Sequence, residues 1–441
     1  MTSDSLFHVS FRCAAGCPGD LNVEEPRYLC ETCGGLLEVW HNSEKLKTRS
    51  SSQWKDVFRK RAGSFENPNE SGVWRKKEWV APHIRQENIV SLGEGGTHLQ
   101  VLPRGGDAFG CGKLWLKQCG ISHSGSFKDL GMTVLVSAVN QMVKDGAQIP
   151  AMICASTGDT SAALAAYAAA AGLPAVVLLP AGKVSPEQLV QPLACGATVL
   201  AVDGDFDHCM ELVRGLVENE GLYLANSMNA LRVEGQKTVA FEIAEQLGWE
   251  SPDWIVIPGG NLGNVSALGA GWRMMMELGL VSKTPRICVA QAEPANPLYR
   301  SFQKRFEEFS PMKAGETLAT AIRIGNPVSR EKAIRVLTEY NGVVEQANDS
   351  ELSEASTLAD RMGMYTCPHT GVALASVKKL TARGVIGADD RVVAVSTANG
   401  FKFNQFKADQ NKPTHTKMAN QPHKVSARYE DVRDIILQLA F

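Results

Sequence analysis

The chain lacks what would carry it to nucleic acid, into a membrane or out of the cell. Its 441 residues have a net charge of −2, so no basic surface is available for a phosphate backbone or an anionic lipid. The start, Met1-Thr2-Ser3-Asp4-Ser5, has no basic segment ahead of an apolar run, and it is not Arg-rich like an organelle address. The most apolar stretch, residues 162–179, is long enough for a membrane span but is broken by Gly172 and Pro174. It reads as a short Ala-rich helix followed by a buried strand. Eleven cysteines is an odd number, and most are scattered, which fits a reducing cytoplasm better than a disulfide framework. With 44% hydrophobic and 21% charged residues, the expectation is a soluble cytoplasmic protein of two or three domains.

Four cysteines are not scattered. Cys13 and Cys17, then Cys30 and Cys33, give C-x3-C, a gap of twelve residues, and C-x2-C. Two close thiolate pairs on turns suit tetrahedral zinc, and Gly16, Gly34 and Gly35 permit tight knuckles. Four thiolates would leave no open position for catalysis, so the site would be structural. A metal-free remnant of such a ribbon is the alternative, and His8 and His41 are candidate substitute ligands. Residues 43–95, polar and carrying Trp54, Trp74 and Trp79, show no catalytic pattern and are expected to pack as an N-terminal arm. At their end Gly93, Gly95 and Gly96 read as a plain loop.

Strands and helices then alternate. Strands are expected at 114–116, 151–155, 175–179, 197–202, 223–225, 254–257 and 391–395, with helices at 162–171, 184–193, 206–218, 238–247 and 265–277. This alternation predicts an α/β protein built on parallel sheets, with ligands beyond the carboxyl ends of the strands. Three polar stretches lie at such ends. Ser126-Phe127-Lys128-Asp129 follows a small-residue turn and opens a helix. Lys128 there is read as holding pyridoxal phosphate as a Schiff base, since a desolvated amine can attack an aldehyde. Taken alone, Lys128 would be an ordinary surface lysine. The second stretch is Pro258-Gly259-Gly260-Asn261-Leu262-Gly263-Asn264, a glycine nest at a helix start that suits a phosphate. It has neither the Gly-Lys-Ser/Thr of a nucleotide P-loop nor the dinucleotide spacing. Alone it would be a glycine turn. The third is Ser396-Thr397-Ala398-Asn399-Gly400, where the Thr397 hydroxyl could face a pyridine nitrogen, although alone it is a turn residue. Residues 407–441 read as a tail ending in a short helix near 432–439.

At these residues the sequence resembles the threonine synthase family, its plant-type branch most of all. The segment from Gly120 to Met132 resembles that family's cofactor-lysine segment, and Ala155-Ser156-Thr157-Gly158-Asp159-Thr160-Ser161 its substrate loop. Asn226-Ser227, Arg232-Val233-Glu234-Gly235-Gln236-Lys237-Thr238, Cys367-Pro368-His369-Thr370-Gly371 and the two strand-end stretches above complete the match, from about Gly72 to Phe406. The resemblance implies fold-type II of the pyridoxal-phosphate enzymes, with two three-layer α/β domains and the cofactor in the cleft. To these the chain adds a small N-terminal zinc-ribbon-like segment at 1–42. The large domain would be 96–135 with 220–406, and the small domain 136–219.

The resemblance also implies a homodimer that converts O-phospho-L-homoserine and water to L-threonine and phosphate. Lys128 would be the catalytic acid/base. Gly260, Asn261, Leu262, Gly263 and Asn264 would hold the cofactor phosphate, Asp159 would face the ring hydroxyl, and Thr397 the ring nitrogen. Ser156, Thr157 and Thr160 would bind substrate, and Asn226, Ser227, Arg232 and Asn261 its phosphate. S-adenosylmethionine is the effector the plant-type branch implies; residues 102–112 match that region poorly, and the sequence leaves activation open. The four-cysteine segment points to a microbial member of the branch. Two other readings compete. One is a serine/threonine ammonia-lyase or cysteine synthase of the same fold, which would need no second phosphate site. The other is a non-catalytic ribbon scaffold.

Overall fold

Two separate sheets carry the molecule in this computed structural model, which describes residues 7–64, 66–156, 158–182, 186–412 and 418–438, with the backbone alone at 186–188. The larger sheet has the order β11-β10-β9-β12-β4-β3. Its strands are β3 (Leu99–Val101), β4 (Lys113–Gln118), β9 (Trp254–Pro258), β10 (Arg286–Ala292), β11 (Val343–Ala347) and β12 (Arg391–Ser396). All its pairings are parallel except β3 against β4. The smaller sheet, wholly parallel, has the order β7-β6-β5-β8. Its strands are β5 (Met152–Ala155), β6 (Ala175–Pro180), β7 (Thr198–Val202) and β8 (Tyr223–Leu224). Every residue of β5 and β9 is buried, as continuous apolar strands covered on both faces must be.

The expected alternation is present, and two boundaries move. β8 pairs with β5 through Met152 opposite Tyr223, so the smaller sheet runs past the expected limit at 219. The tail does not begin at 407, because Lys407 is buried against Asp360 and Ser356. Beyond it, the helix Tyr429–Gln438 buries no residue. The arm packs on the main body through its buried aromatics. Trp54 stacks on Phe58, both meet Trp79 edge-on, and Trp79 meets Phe241 edge-on; Trp74 donates to Thr133 at 2.7 Å.

The Gly93–Gly96 loop is a crossing point. A Cβ at Gly72 would meet the Gly96 nitrogen at 2.0 Å, so two backbone segments touch there. Glu94, fully buried, accepts from the Tyr167 hydroxyl at 2.8 Å. Gly96 donates to Glu242 at 2.7 Å, and Glu242 in turn pairs with buried Lys117.

The N-terminal segment forms an antiparallel pair, β1 (Val9–Cys13) with β2 (Leu37–His41). The Sγ atoms of Cys13, Cys17, Cys30 and Cys33 lie within 4.8 Å of one another. Gly16 and Gly34 take left-handed φ values of +86° and +67° at the turns, as the knuckles require. His8 and His41 are not in this group. His41 instead reaches Glu234 at 2.6 Å, with Lys237 on the same carboxylate, because the far end of β2 docks on the main body. Among the described residues no helix is long and apolar enough to cross a membrane.

Candidate active site

The site is set by two helices that touch at glycine. One is Lys128–Lys144 and the other Ala230–Gln236. A Cβ on Gly131 would lie 2.5 Å from the Arg232 carbonyl oxygen, and one on Gly235 only 1.8 Å from that of Leu130. No larger residue fits at either position, and the close approach brings Arg232 beside Lys128. The loop ahead of Lys128 is stitched to the end of β12. Phe127 donates to the Thr397 carbonyl and Asn399 to that of Gly125, both at 2.9 Å. Asp129 shapes the same loop by accepting from the Ser124 amide at 2.7 Å and its hydroxyl at 2.5 Å. Burial pushes the Asp129 carboxyl up to about 6 despite those bonds.

Lys128 is half-buried, with its amine 4.3 Å from the centre of the Phe127 ring. Burial first, then the positive field of Arg232, bring the amine down to about 7, with Asp159 opposing. Near neutral pH a large share of it is therefore the free base. If this amine captures an aldehyde, the capture of pyridoxal phosphate by cofactor-stripped protein should quicken about tenfold per pH unit below 7 and level off above about 8. Stopped-flow absorbance checks this. A rate still climbing at pH 10 would show an ordinary lysine.

The second anchor is the turn after β9. Leu262 has φ +66°, and the helix Gly263–Glu277 starts from it. Among the described residues, the amides of Gly260, Asn261 and Leu262 donate to no protein group. Three free amides at the start of a fifteen-residue helix form an anion cradle. Asn264 ties the turn to its strand by donating to Pro258 at 2.7 Å, and Ser329 donates to Asn261 at 3.1 Å. Thr397 is buried, and its side lines a small cavity with Phe127, Gln236 and Asn264.

Arg232 is 1% exposed. Its guanidinium donates to the Ala225 carbonyl at 2.8 Å and to Thr160 Oγ1 at 3.2 Å, while Nε has no partner. Burial lowers it to about 10. Among the described residues no carboxylate pairs with it. Ser227 lies nearby, its carbonyl 4.0 Å from a Cβ built on Gly263. Asn226 spends both ends of its amide on the Ala155 backbone, at 3.1 and 2.8 Å. Ser156 Oγ accepts from Gly158 at 3.2 Å and from Ser161 at 3.3 Å, the latter an amide in the first turn of the helix Asp159–Ala171. Asp159 is buried, and one carboxylate oxygen accepts no hydrogen bond. Thr157 lies outside the described residues.

The donors fit pyridoxal phosphate. They supply a desolvated amine, an amide cradle with no protein acceptor, a buried carboxylate oxygen without a donor and a buried hydroxyl residue at a strand end. The residues that sequence reasoning missed are Lys402 and Gln191, which meet beside Asp159. Only the position of Lys402, soon after Thr397, could have hinted at it.

Comparison with known proteins agrees with this geometry. Residues 90–398 match the family described as pyridoxal-phosphate dependent enzyme. The chain is 49% identical over 438 residues to threonine synthase 2, chloroplastic, of Arabidopsis thaliana, covering 98% of this chain and 85% of that one. It is 41% identical to threonine synthase of Methanocaldococcus jannaschii, covering 88% and 91%. Among solved structures it is similar to Escherichia coli threonine synthase, with a TM-score of 0.64 and 20% identity over 93% and 95% of the two chains. The chain belongs to the threonine synthase family of pyridoxal-phosphate-dependent enzymes.

Proposed function

We propose that this enzyme converts O-phospho-L-homoserine and water to L-threonine and phosphate. The observation that carries the reading is Arg232, a buried guanidinium that pairs with no carboxylate among the described residues. A buried charge that the protein leaves unpaired suits a ligand of opposite charge, and the planar fork matches a phosphate dianion. An ammonia-lyase acting on an unphosphorylated amino acid has no use for it.

Pyridoxal phosphate supplies the electron sink that makes the substrate's Cα and Cβ protons removable. Lys128 would hold the cofactor's aldehyde carbon, and its amine would then take and return the proton at Cα. The amides of Gly260 to Asn264 would grip the cofactor phosphate, with Asp159 and Thr397 facing the ring's hydroxyl and nitrogen. Arg232, Thr160, Ser227 and Asn261 would receive the substrate's phosphate and steady it as it leaves. Asn226 would serve as the clamp that places Ser227, since its own amide is occupied by Ala155. Ser156 and Thr157 would meet the substrate's carboxylate. Burial of Lys128 and Arg232 would keep stray water from the reacting carbons.

Purified enzyme should release threonine and phosphate in equal amounts from O-phospho-L-homoserine and leave L-homoserine untouched. Ammonia from serine or threonine, with no phosphate release, would move the assignment to the lyase. The rate with and without S-adenosylmethionine shows whether this member is activated, and sedimentation tests the homodimer. A cytoplasmic location belongs to the same reading and is supported by eleven unpaired cysteines.

The four clustered thiols support one structural zinc per chain. Metal analysis should find close to one zinc, and a strong chelator should lower Tm, because the ion binds the folded segment alone. Protein free of metal with the same Tm would remove the ion from the account.

A further inference from the structure

Lys402 lies in the short turn Gly400–Phe403, just beyond Thr397. Its ammonium donates to the Ser124 carbonyl at 2.9 Å and to Gln191 Oε1 at 2.6 Å, and it stands 3.3 Å from Asp159 Oδ1. Gln191 also donates to the Ser124 carbonyl, at 3.0 Å. The Lys402 side chain is 13% exposed and that of Asp159 7%, so the charges meet largely out of water. Their contact is an ion pair without hydrogen-bond alignment, because that carboxylate oxygen accepts no hydrogen bond. Gly125, at φ +85°, gives the lysine stem room: a Cβ there would sit 3.0 Å from Lys402 Cδ.

The partners come from different parts of the fold. Ser124 is in the loop leading to Lys128, stitched to the end of β12 in the larger sheet. Asp159 starts the helix after β5, and Gln191 lies on the helix Pro186–Ala194 after β6. Both helices belong to the smaller sheet. One cation therefore joins the two halves beside Asp159. It also fixes the carboxylate that acts on Lys128.

We propose that Lys402 is a positioning residue for the reaction, clasping the Asp159 and Gln191 helices to the Lys128 loop and so holding the cleft closed around the substrate. This rests on the site assignment above. A clasp of this kind acts on the population of the closed form. Losing it raises the apparent binding constant by the fraction of time the cleft is lost, with less effect on the chemistry once substrate is held.

The test uses the holoenzyme with Lys402→Met, Lys402→Arg and Gln191→Ala. Without substrate, K402M should speed amide exchange about tenfold in the peptides covering 120–127 and 189–196. With O-phospho-L-homoserine its KM should rise about tenfold while kcat changes less than about threefold. K402R should recover most of both, and Q191A should move both the same way by less. Because Q191A removes no charge, a folding defect in K402M does not decide the matter. Wild-type exchange in both peptides of K402M and Q191A would overturn the clasp, as would a loss of kcat at unchanged KM in K402M. Exchange is read without substrate, so its failure overturns the clasp alone. Absence of threonine formation by the unsubstituted enzyme would overturn the reaction instead.

Discussion

Replacing Arg232 with Ala should raise KM for O-phospho-L-homoserine by about 10² to 10⁴ while the spectrum of bound pyridoxal phosphate stays as it is. Two charge-assisted bonds to a phosphate are lost, each worth about 1.5 to 3 kcal/mol, and little of that loss is softened by solvent at a 1%-exposed site. Arg232→Lys should recover little, because an ammonium cannot present two parallel donors. The same residue makes a prediction about stability with the opposite sign. An unpaired buried cation costs folding energy, so Arg232→Met should leave Tm level or raise it as activity disappears. Inorganic phosphate should raise the Tm of the wild type and not of this variant. Steady-state kinetics and thermal melts measure all of this. A severe fall in Tm with unchanged KM would make Arg232 a structural residue.

Lys128→Ala should cost at least about 10⁴ in kcat, since one change removes both the covalent anchor and the group that moves the proton. Borohydride reduction followed by mass spectrometry should place a pyridoxyl group on Lys128 in the wild type and on no lysine of the variant. The variant should still bind cofactor, through the amide cradle of Gly260 to Leu262. An adduct on another lysine, or activity within tenfold of wild type, would show that a different amine does the work.

How much of this could be read from the sequence differs from residue to residue. Parallel sheets were legible because β5, β6, β9 and β12 are short apolar runs closed by polar turns. Lys128 and the glycine nest could be proposed only together, since alone one reads as a surface lysine and the other as a glycine turn. The pairing of Gly131 with Gly235 was not, since nothing local marks a glycine that another helix will touch. The Trp54, Trp74 and Trp79 segment looked like a polar arm because its charges outnumber its aromatics, yet Trp54, Phe58, Trp74 and Trp79 are all buried. His41 looked like a spare metal ligand, and its partner Glu234 lies nearly two hundred residues away. Lys402 was invisible for the same reason. Its meaning comes from Gln191 and Asp159, which only the folded chain brings to it.

The most direct test is a crystal structure of the holoenzyme with the phosphonate analogue of O-phospho-L-homoserine, whose bridging oxygen is replaced by a methylene so that it cannot leave. The account predicts phosphonate oxygens at about 3 Å from the Arg232 guanidinium, with the amino end turned to Lys128. A phosphonate seated elsewhere, with Arg232 still bonded only to Ala225 and Thr160, would contradict it.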